Sequence, residues 1–257
     1  MILKNKKILI MGIRNKWSIA YGIAKSAYEN GAKLIFTYMG EENKEKIEKL
    51  ITEFEGSKAY LLDDASEDKL VEETFNKIKK ENGKIDGIAH CIAHANTEDL
   101  HKNFIETSKQ GYTHAIDVSA YSFVLAARTA KKIDLLNNNS SIITLTYYGS
   151  TKVIEGYNIM GIAKAALESS TRYLASNLGN NNIRVNAISA GPIKTLSAKG
   201  IKDFNQILDI IEKKAPIHKN VNTKQIGNIA TFLLSDMSDA ITGQTIFADN
   251  GFNIIGA

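Results

Sequence analysis

KKILIMGIRNKWSIAYGIAKSAYENGAKLIFTY, residues 6–38, decides the fold. Its ILIM run at 8–11 is continuously apolar, as a strand buried on both faces must be. Gly12 interrupts that run, and from Ser18 the apolar residues return at helical spacing until Gly31 closes the helix. KLIFTY at 33–38 is a second apolar strand. Strand, helix and strand in so short a span form a βαβ unit, whose right-handed crossover lays the strands parallel.

The alternation continues to the C-terminus. AYLLDD (59–64), DGIAHCIA (86–93), SSIITLTY (140–147), IRVNAIS (183–189) and TIFADNG (245–251) read as further strands. EENKEKIEKLITEF, EDKLVEETFNKIKKEN, a long helix within GYTHAIDVSAYSFVLAARTAKKI and the segment carrying Tyr157 and Lys164 read as helices between them. Such a pattern predicts α/β architecture: a Rossmann-like, doubly wound parallel sheet of about seven strands, covered on both faces, with ligands at the carboxyl ends of its strands. Nothing reads as a linker or repeat, so residues 1–257 are expected to form a single domain. The stretch from Ala93 to Gln110 is the longest without a periodic pattern and would overhang the ligand end.

Composition narrows the classes. A chain that is 44% hydrophobic and 23% charged can bury a sizeable core. No segment approaches the roughly 18 apolar residues of a membrane span. The opening MILKNKKILIMG lacks the apolar stretch and cleavage site of a secretory signal, so a cytoplasmic location is expected. Cys91 is the only cysteine, which excludes an intramolecular disulfide and a multi-thiolate zinc cluster, and it reads as a small core residue. The net charge of +4 is mild and no dense basic tract points to nucleic acid.

The ligand end carries two sets of chemical residues. After the first strand, Gly12 offers a tight turn, Ser18 a hydroxyl at the helix start, and Ala20 and Gly22 small side chains where helix meets sheet. Backbone N–H groups at that helix start would hold a pyrophosphate, although the spacing is not G-x-G-x-x-G. The second strand ends in Tyr38, Met39, Gly40, Glu41 and Glu42; two carboxylates there would repel a ribose 2′-phosphate, so NADH is the expected cofactor. Equally, Glu41 and Glu42 suit a helix's first turn. Asp64, after the third strand, is placed to accept from an adenine amino group or simply to open the next helix.

Tyr157 and Lys164 form the second set, separated by six residues in YNIMGIAKAALESS. A phenol beside an ammonium can stabilise negative charge developing on a substrate oxygen. Tyr148 and Lys152 match the Tyr-x-x-x-Lys of ordinary short-chain dehydrogenases, but no periodic helix begins there, and Leu135 and Leu136 occupy the place of the accompanying serine. Seven helical positions advance about 10 Å, against about 6 Å for four, so Tyr157 is expected to be displaced by roughly 4–5 Å relative to a carbonyl reductase. A displaced phenol suits conjugate reduction, in which hydride lands two carbons from the oxygen that takes the charge.

GIRNKWSIAYGIA, HCIAHAN, TLTYYG, YNIMGIAKAALESS, RVNAISAGPIKTLSAKGIKDF and ITGQTIFADNGF follow one another in order. Together they resemble the NADH-dependent enoyl-acyl-carrier-protein reductases, a divergent branch of the short-chain dehydrogenase/reductase superfamily. The resemblance implies reduction of the trans-2 double bond of an enoyl thioester in fatty-acid elongation. It assigns Tyr157 to the enolate oxygen, Lys164 to the nicotinamide ribose, and Tyr147 to substrate positioning. Gly12, Ser18, Ile19, Asp64, Ala65, Ile92, Ile193 and Thr195 would contact the cofactor; Ala95, Met160, Ile201 and Phe204 would join the two tyrosines around the acyl group. No metal is implied.

The resemblance also implies a mobile flap at about 194–215, bearing the apolar stripe Ile201, Phe204, Ile207, Leu208 and Ile211. Packing on the main sheet is the other reading of that stripe. Lys199 and Lys202 would meet an acidic acyl carrier protein, and helices around Ala115–Lys132 and Tyr157–Asn177 would pair subunits in a homotetramer. Arg14 stands where the family has alanine, His94 where it has phenylalanine, Tyr148 where it has leucine, and Asn250 where it has glycine or serine. Two other functions fit the scaffold: a carbonyl-reducing enzyme such as a 3-oxoacyl-carrier-protein reductase, and a non-catalytic dinucleotide sensor.

Overall fold

The computed structural model describes residues 1–195, 198 and 204–256. Seven strands form one parallel sheet in the order β3-β2-β1-β4-β5-β6-β7. They are β1 (Lys7–Met11), β2 (Lys33–Tyr38), β3 (Lys58–Leu61), β4 (Ile85–His90), β5 (Leu136–Thr146), β6 (Arg184–Ala190) and β7 (Thr245–Ala248). The helices are α1 (Ile19–Glu29), α2 (Lys44–Ile51), α3 (Asp68–Asn82), α4 (Thr97–His101), α5 (Lys109–Ile116), α6 (Ser122–Lys132), α7 (Ile159–Leu178), α8 (Phe204–Lys214) and α9 (Thr223–Leu234). No helix among the described residues is long and apolar enough to cross a membrane.

Side-chain alternation divides each central strand between two cores. Ile8 and Ile10 of β1 join Ile23 and Ala24 of α1 and Ile226 and Ala230 of α9 on one face. Leu9 and Met11 join Phe75 of α3, Phe123 of α6 and Leu167 of α7 on the other. Burying each such large side chain stabilises the fold by about 1.5–3 kcal/mol, so both sides of β1 are fastened. The order reverses between β1 and β4, opening the switch-point crevice above their carboxyl ends.

Several local expectations are corrected. Gly22 is small because of α9, not the sheet: a Cβ on it would lie 2.4 Å from the Thr223 carbonyl oxygen, and one on Gly227 would lie 2.3 Å from that of Gly22. The helix α9 itself escaped the strand-by-strand reading, although Asn222 and Gln225 form a capping box at its start. The long helix expected between β4 and β5 is broken by a π turn at Asp117–Tyr121 between α5 and α6.

The 93–110 segment is not structureless. It holds α4 and a 3-10 turn at Phe104–Glu106, and it is tied down by the Asn158 amide, which donates to the carbonyls of Leu100 (3.0 Å) and Lys102 (2.6 Å). Asn158 has φ 36°, outside helical geometry, so α7 begins at Ile159 and Tyr157 precedes it. The seven-residue helical rise used to place Tyr157 against Lys164 therefore does not apply as drawn. Ile201, Lys199 and Lys202 lie outside the described residues.

Candidate active site

Gly12 ends β1 with φ 86°, a conformation that favours glycine, and its N–H donates to the Thr37 carbonyl of β2 at 3.1 Å. An added Cβ would meet Ile92 Cγ1 at 2.9 Å and the Cys91 carbonyl oxygen at 3.1 Å. The floor of the crevice is thus bare backbone, which lets a polar ligand approach closely. Ser18 caps α1: its Oγ accepts from the Tyr21 N–H at 3.2 Å and donates to the Asn15 carbonyl at 2.7 Å. Ile19 opens the helix at its positive pole, where an anion is stabilised.

The other cofactor candidates follow the carboxyl ends of further strands of the same sheet. Ile92 follows β4, and Ile193 and Thr195 follow β6, with Thr195 Oγ1 accepting from the Ala198 N–H at 3.2 Å. Ala65 is buried, whereas Asp64 is exposed and its Oδ1 holds the Ser66 N–H (2.8 Å) and hydroxyl (2.6 Å). At the end of β2, Met39, Glu41 and Glu42 are exposed, and the Gly40 N–H donates to Asp63 Oδ1 at 3.0 Å. Asp63, which joins the β2 and β3 ends, was not singled out from sequence. These features fit a dinucleotide: a bare turn, a capped helix start and an acidic ribose end.

Tyr157, Met160, Leu100, Ile159 and Ala115 form a small separate core, with Ala95, Tyr147 and Ile154 packed against it. Four of the substrate-side candidates are therefore brought together. The Tyr147 and Tyr157 rings meet edge to face at 4.9 Å between centroids. Gly149 lies flush against Tyr157, since a Cβ there would fall 2.5 Å from the ring. Phe204, half-buried at the start of α8, is not in that cluster.

Burial, then the nearby Tyr147 and Glu168, push the Tyr157 phenol well above its ordinary range, so it remains an O–H donor. Burial, then Tyr148 and Asp249, push Tyr147 up to about 12. Lys164 is buried on α7, and its Nζ donates to the Leu145 carbonyl at 2.7 Å. Burial lowers it to about 8 against the opposing pull of Cys91 and Glu168.

The rival pair is not assembled. Tyr148 packs against Phe252 at 5.7 Å in a 3-10 turn, and Lys152 is exposed. Cys91 is a poor nucleophile, its thiol pushed up to about 12 by burial. His94 meets His114 of α5, Nδ1 to Nε2 at 2.8 Å, while Ser119 of the π turn clasps its backbone, accepting from the N–H (2.9 Å) and donating to the carbonyl (3.0 Å). Burial first, then His114 and Arg14, lower the His94 pKa. Asn250 sits at φ 58°, a left-handed position where asparagine is well tolerated, which accounts for its replacing glycine. Glu168 and His114 were missed; Glu168 was detectable only as an acid one helical turn beyond Lys164 on a largely apolar helix. Among the described residues no group of three or more His, Cys, Asp or Glu could hold a metal.

Residues 12–253 match the family model described as enoyl-(acyl carrier protein) reductase. A Bacillus cereus enoyl-acyl-carrier-protein reductase marked NADH is 46% identical over 256 residues, covering 99% of both chains. A Staphylococcus aureus enzyme of that name marked NADPH is 48% identical over 254 residues, covering 98% of both. A crystal structure of the Bacillus cereus enoyl-acyl carrier protein reductase with NADP+ and an indole naphthyridinone superposes with TM-score 0.95 at 46% identity, covering 100% of this chain and 99% of that one.

Proposed function

The chain belongs to the enoyl-acyl-carrier-protein reductase family, and from that membership we propose how its residues divide the reaction. The enzyme is an oxidoreductase that uses NADH to saturate the double bond of enoyl-acyl-carrier-protein, the last reductive step of fatty-acid elongation. NADH, when bound, would supply the hydride, and Gly12, Ser18, Ile19, Asp64, Ala65, Ile92, Ile193, Thr195 and Lys164 would hold it. As the β-carbon is reduced, negative charge gathers on the thioester oxygen, and the Tyr157 O–H donates to it. A preorganised donor of this kind is worth about 2.7–4 kcal/mol in the transition state. Tyr147 holds the substrate against Tyr157, with Ala95 and Met160 along the acyl chain. Protonation at the α-carbon then completes the saturated product.

The observation that carries this reading is the Tyr147–Tyr157 pair, edge to face in an apolar cluster just after β5, with Tyr157 buried and Tyr147 half-buried. Turnover of crotonyl and acetoacetyl thioesters with each nicotinamide tests it. Saturation of the crotonyl thioester with NADH is expected; reduction of the ketone alone would favour the carbonyl reductase, and binding without turnover the sensor. Relatives carry either nicotinamide in their names, and the exposed Glu41 and Glu42 of this chain favour NADH by repelling a 2′-phosphate. A preference for NADPH would overturn that part.

The reading extends to one catalytic domain with residues 194–215 as a flap over the acyl chain. Half-buried Phe204 and Ile207 support an acyl-facing stripe, while buried Leu208 and Ile211 seat α8. Lys199 and Lys202 receive the carrier protein; changing both to glutamate should slow turnover of carrier-bound substrate more than of a coenzyme A thioester. The enzyme is read as a cytoplasmic homotetramer pairing α6 and α7 between subunits, supported by exposed Ile162 and Tyr173 on α7. Light scattering at four times the 28.3 kDa chain mass is the expected result.

A further inference from the structure

Glu168 is a buried carboxylate on α7 with two hydroxyl partners and no assigned purpose. Its Oε1 accepts from Thr146 Oγ1 at 2.7 Å and from Ser150 Oγ at 2.6 Å. Thr146 is the last residue of β5, and Ser150 ends the 3-10 turn that starts at Tyr148. One carboxylate oxygen therefore grips the chain immediately before Tyr147 and again three residues after it. Gly149, inside the gripped turn, is the residue lying flush against the Tyr157 ring, and a Cβ on Gly161 would lie 2.7 Å from the Gly149 carbonyl oxygen. Strand end, turn and helix start are joined at a single node.

An acid is an expensive way to fasten a turn. Removing a carboxylate from water costs several kcal/mol unless partners replace the water, and an apolar side chain would avoid that cost. The hydrogen-bond partners here are two hydroxyls, and Lys164, four residues earlier on the same helix, feels the carboxylate's charge without pairing to it. We infer that Glu168 is a positioning residue: through Thr146 and Ser150 it sets the Tyr147 turn against Tyr157, and it sets a negative charge beside Lys164, without touching substrate. Lys164 faces His90 and Cys91 at the end of β4 as well as Glu168, and Tyr147 faces Asp249. Of the groups acting on Lys164, Glu168 is the carboxylate, and it favours the ammonium against the lowering effect of burial.

The inference rests on the roles given above to Tyr157 and Lys164. Glu168→Gln keeps an oxygen acceptor for both hydroxyls and removes the charge, whereas Ser150→Ala removes one half of the grip and keeps the charge. In the full-length enzyme, kcat should fall about 10-fold in each. Only Glu168→Gln should move the alkaline limb of the kcat profile, downward by about one pH unit, the lower end of the shift an opposite charge at close range gives. Melting temperature and NADH affinity by fluorescence, measured alongside, separate a folding defect from the predicted effect. A Glu168→Gln enzyme with native melting and an unmoved limb overturns the charge role; Ser150→Ala with native kcat overturns the grip. If Glu168→Gln does not fold, Ser150→Ala still decides the grip, and a native kcat there sinks the inference. Should Tyr157→Phe and Lys164→Ala retain full activity, the parent reading fails instead, whatever Glu168 does.

Discussion

Lys164 is a cation held out of water by α7 and the end of β5, where its Nζ donates to the Leu145 carbonyl. Burial penalises its charged form, so it releases its proton at about 8, far below an exposed lysine. If the ammonium orients the nicotinamide ribose, activity persists below that value and is lost as pH rises through it. The expected kcat profile has an alkaline limb near pH 8. Lys164→Arg, whose guanidinium stays charged throughout, should show no limb up to pH 9.5 even if its plateau is lower. A limb unchanged in Lys164→Arg would assign the titration to another group. Tyr157 and Lys164 were legible in sequence because their residue types are chemically rare in such a setting. Their spatial relation was not, because it depends on the φ of Asn158, which keeps Tyr157 off the helix. Glu168 was not legible for a similar reason: its partners, Thr146 and Ser150, come from a strand end and a turn 22 and 18 residues upstream.

Elements were read well where burial on both faces left an unbroken apolar run, as in β1, β2 and β6. They were missed where a short or capped segment carries no long period. Helix α4 has five residues, and it is held by contacts from Asn158 rather than by its own pattern. Helix α9 was passed over although it covers α1 along the very face that made Gly22 necessary. That crossing yields a prediction. Gly227→Ala places a methyl 2.3 Å from the Gly22 carbonyl oxygen, against backbone that cannot turn aside. Overpacking of this kind costs about 1–3 kcal/mol. At about 2–4 °C per kcal/mol for a chain of this size, the melting temperature should drop by roughly 2–12 °C. Because α1 carries Ser18 at the crevice, NADH affinity should weaken as well. Ala230→Ser, one turn away on the same helix, would test the crossing less directly; Gly227→Ala with native melting would show that the two helices can part freely.

At the scale of the molecule, the sheet is joined to its α6 side by a histidine that cannot take up a proton cheaply. His90 ends β4, fully buried, with Nε2 2.9 Å from Ser122 Oγ and Nδ1 3.2 Å from Thr144 Oγ1. The Ser122 hydroxyl donates to the Val118 carbonyl at 2.6 Å, so Nε2 carries the imidazole proton and Ser122 accepts it. Burial first, then the charge of Lys164, lowers His90 from 6.5 to about 3. Between those values the unfolded chain binds a proton that the folded one refuses, so stability is fully present above pH 6.5 and falls as the pH drops toward 3. The slope is about 1.4 kcal/mol per pH unit, or roughly 2 kcal/mol lost by pH 5. His94 is lowered in the same direction, but it is exposed and solvent screening keeps its share small. Glu53, Glu81 and Asp134 contribute little there, since they are lowered from values already below 5. Melting curves from pH 7.5 to 5 should therefore descend steeply for the native chain and more gently for His90→Asn, whatever that variant's stability at neutral pH. Parallel descents would mean that the proton is taken up elsewhere and that the bond between sheet and helix layer is indifferent to acid.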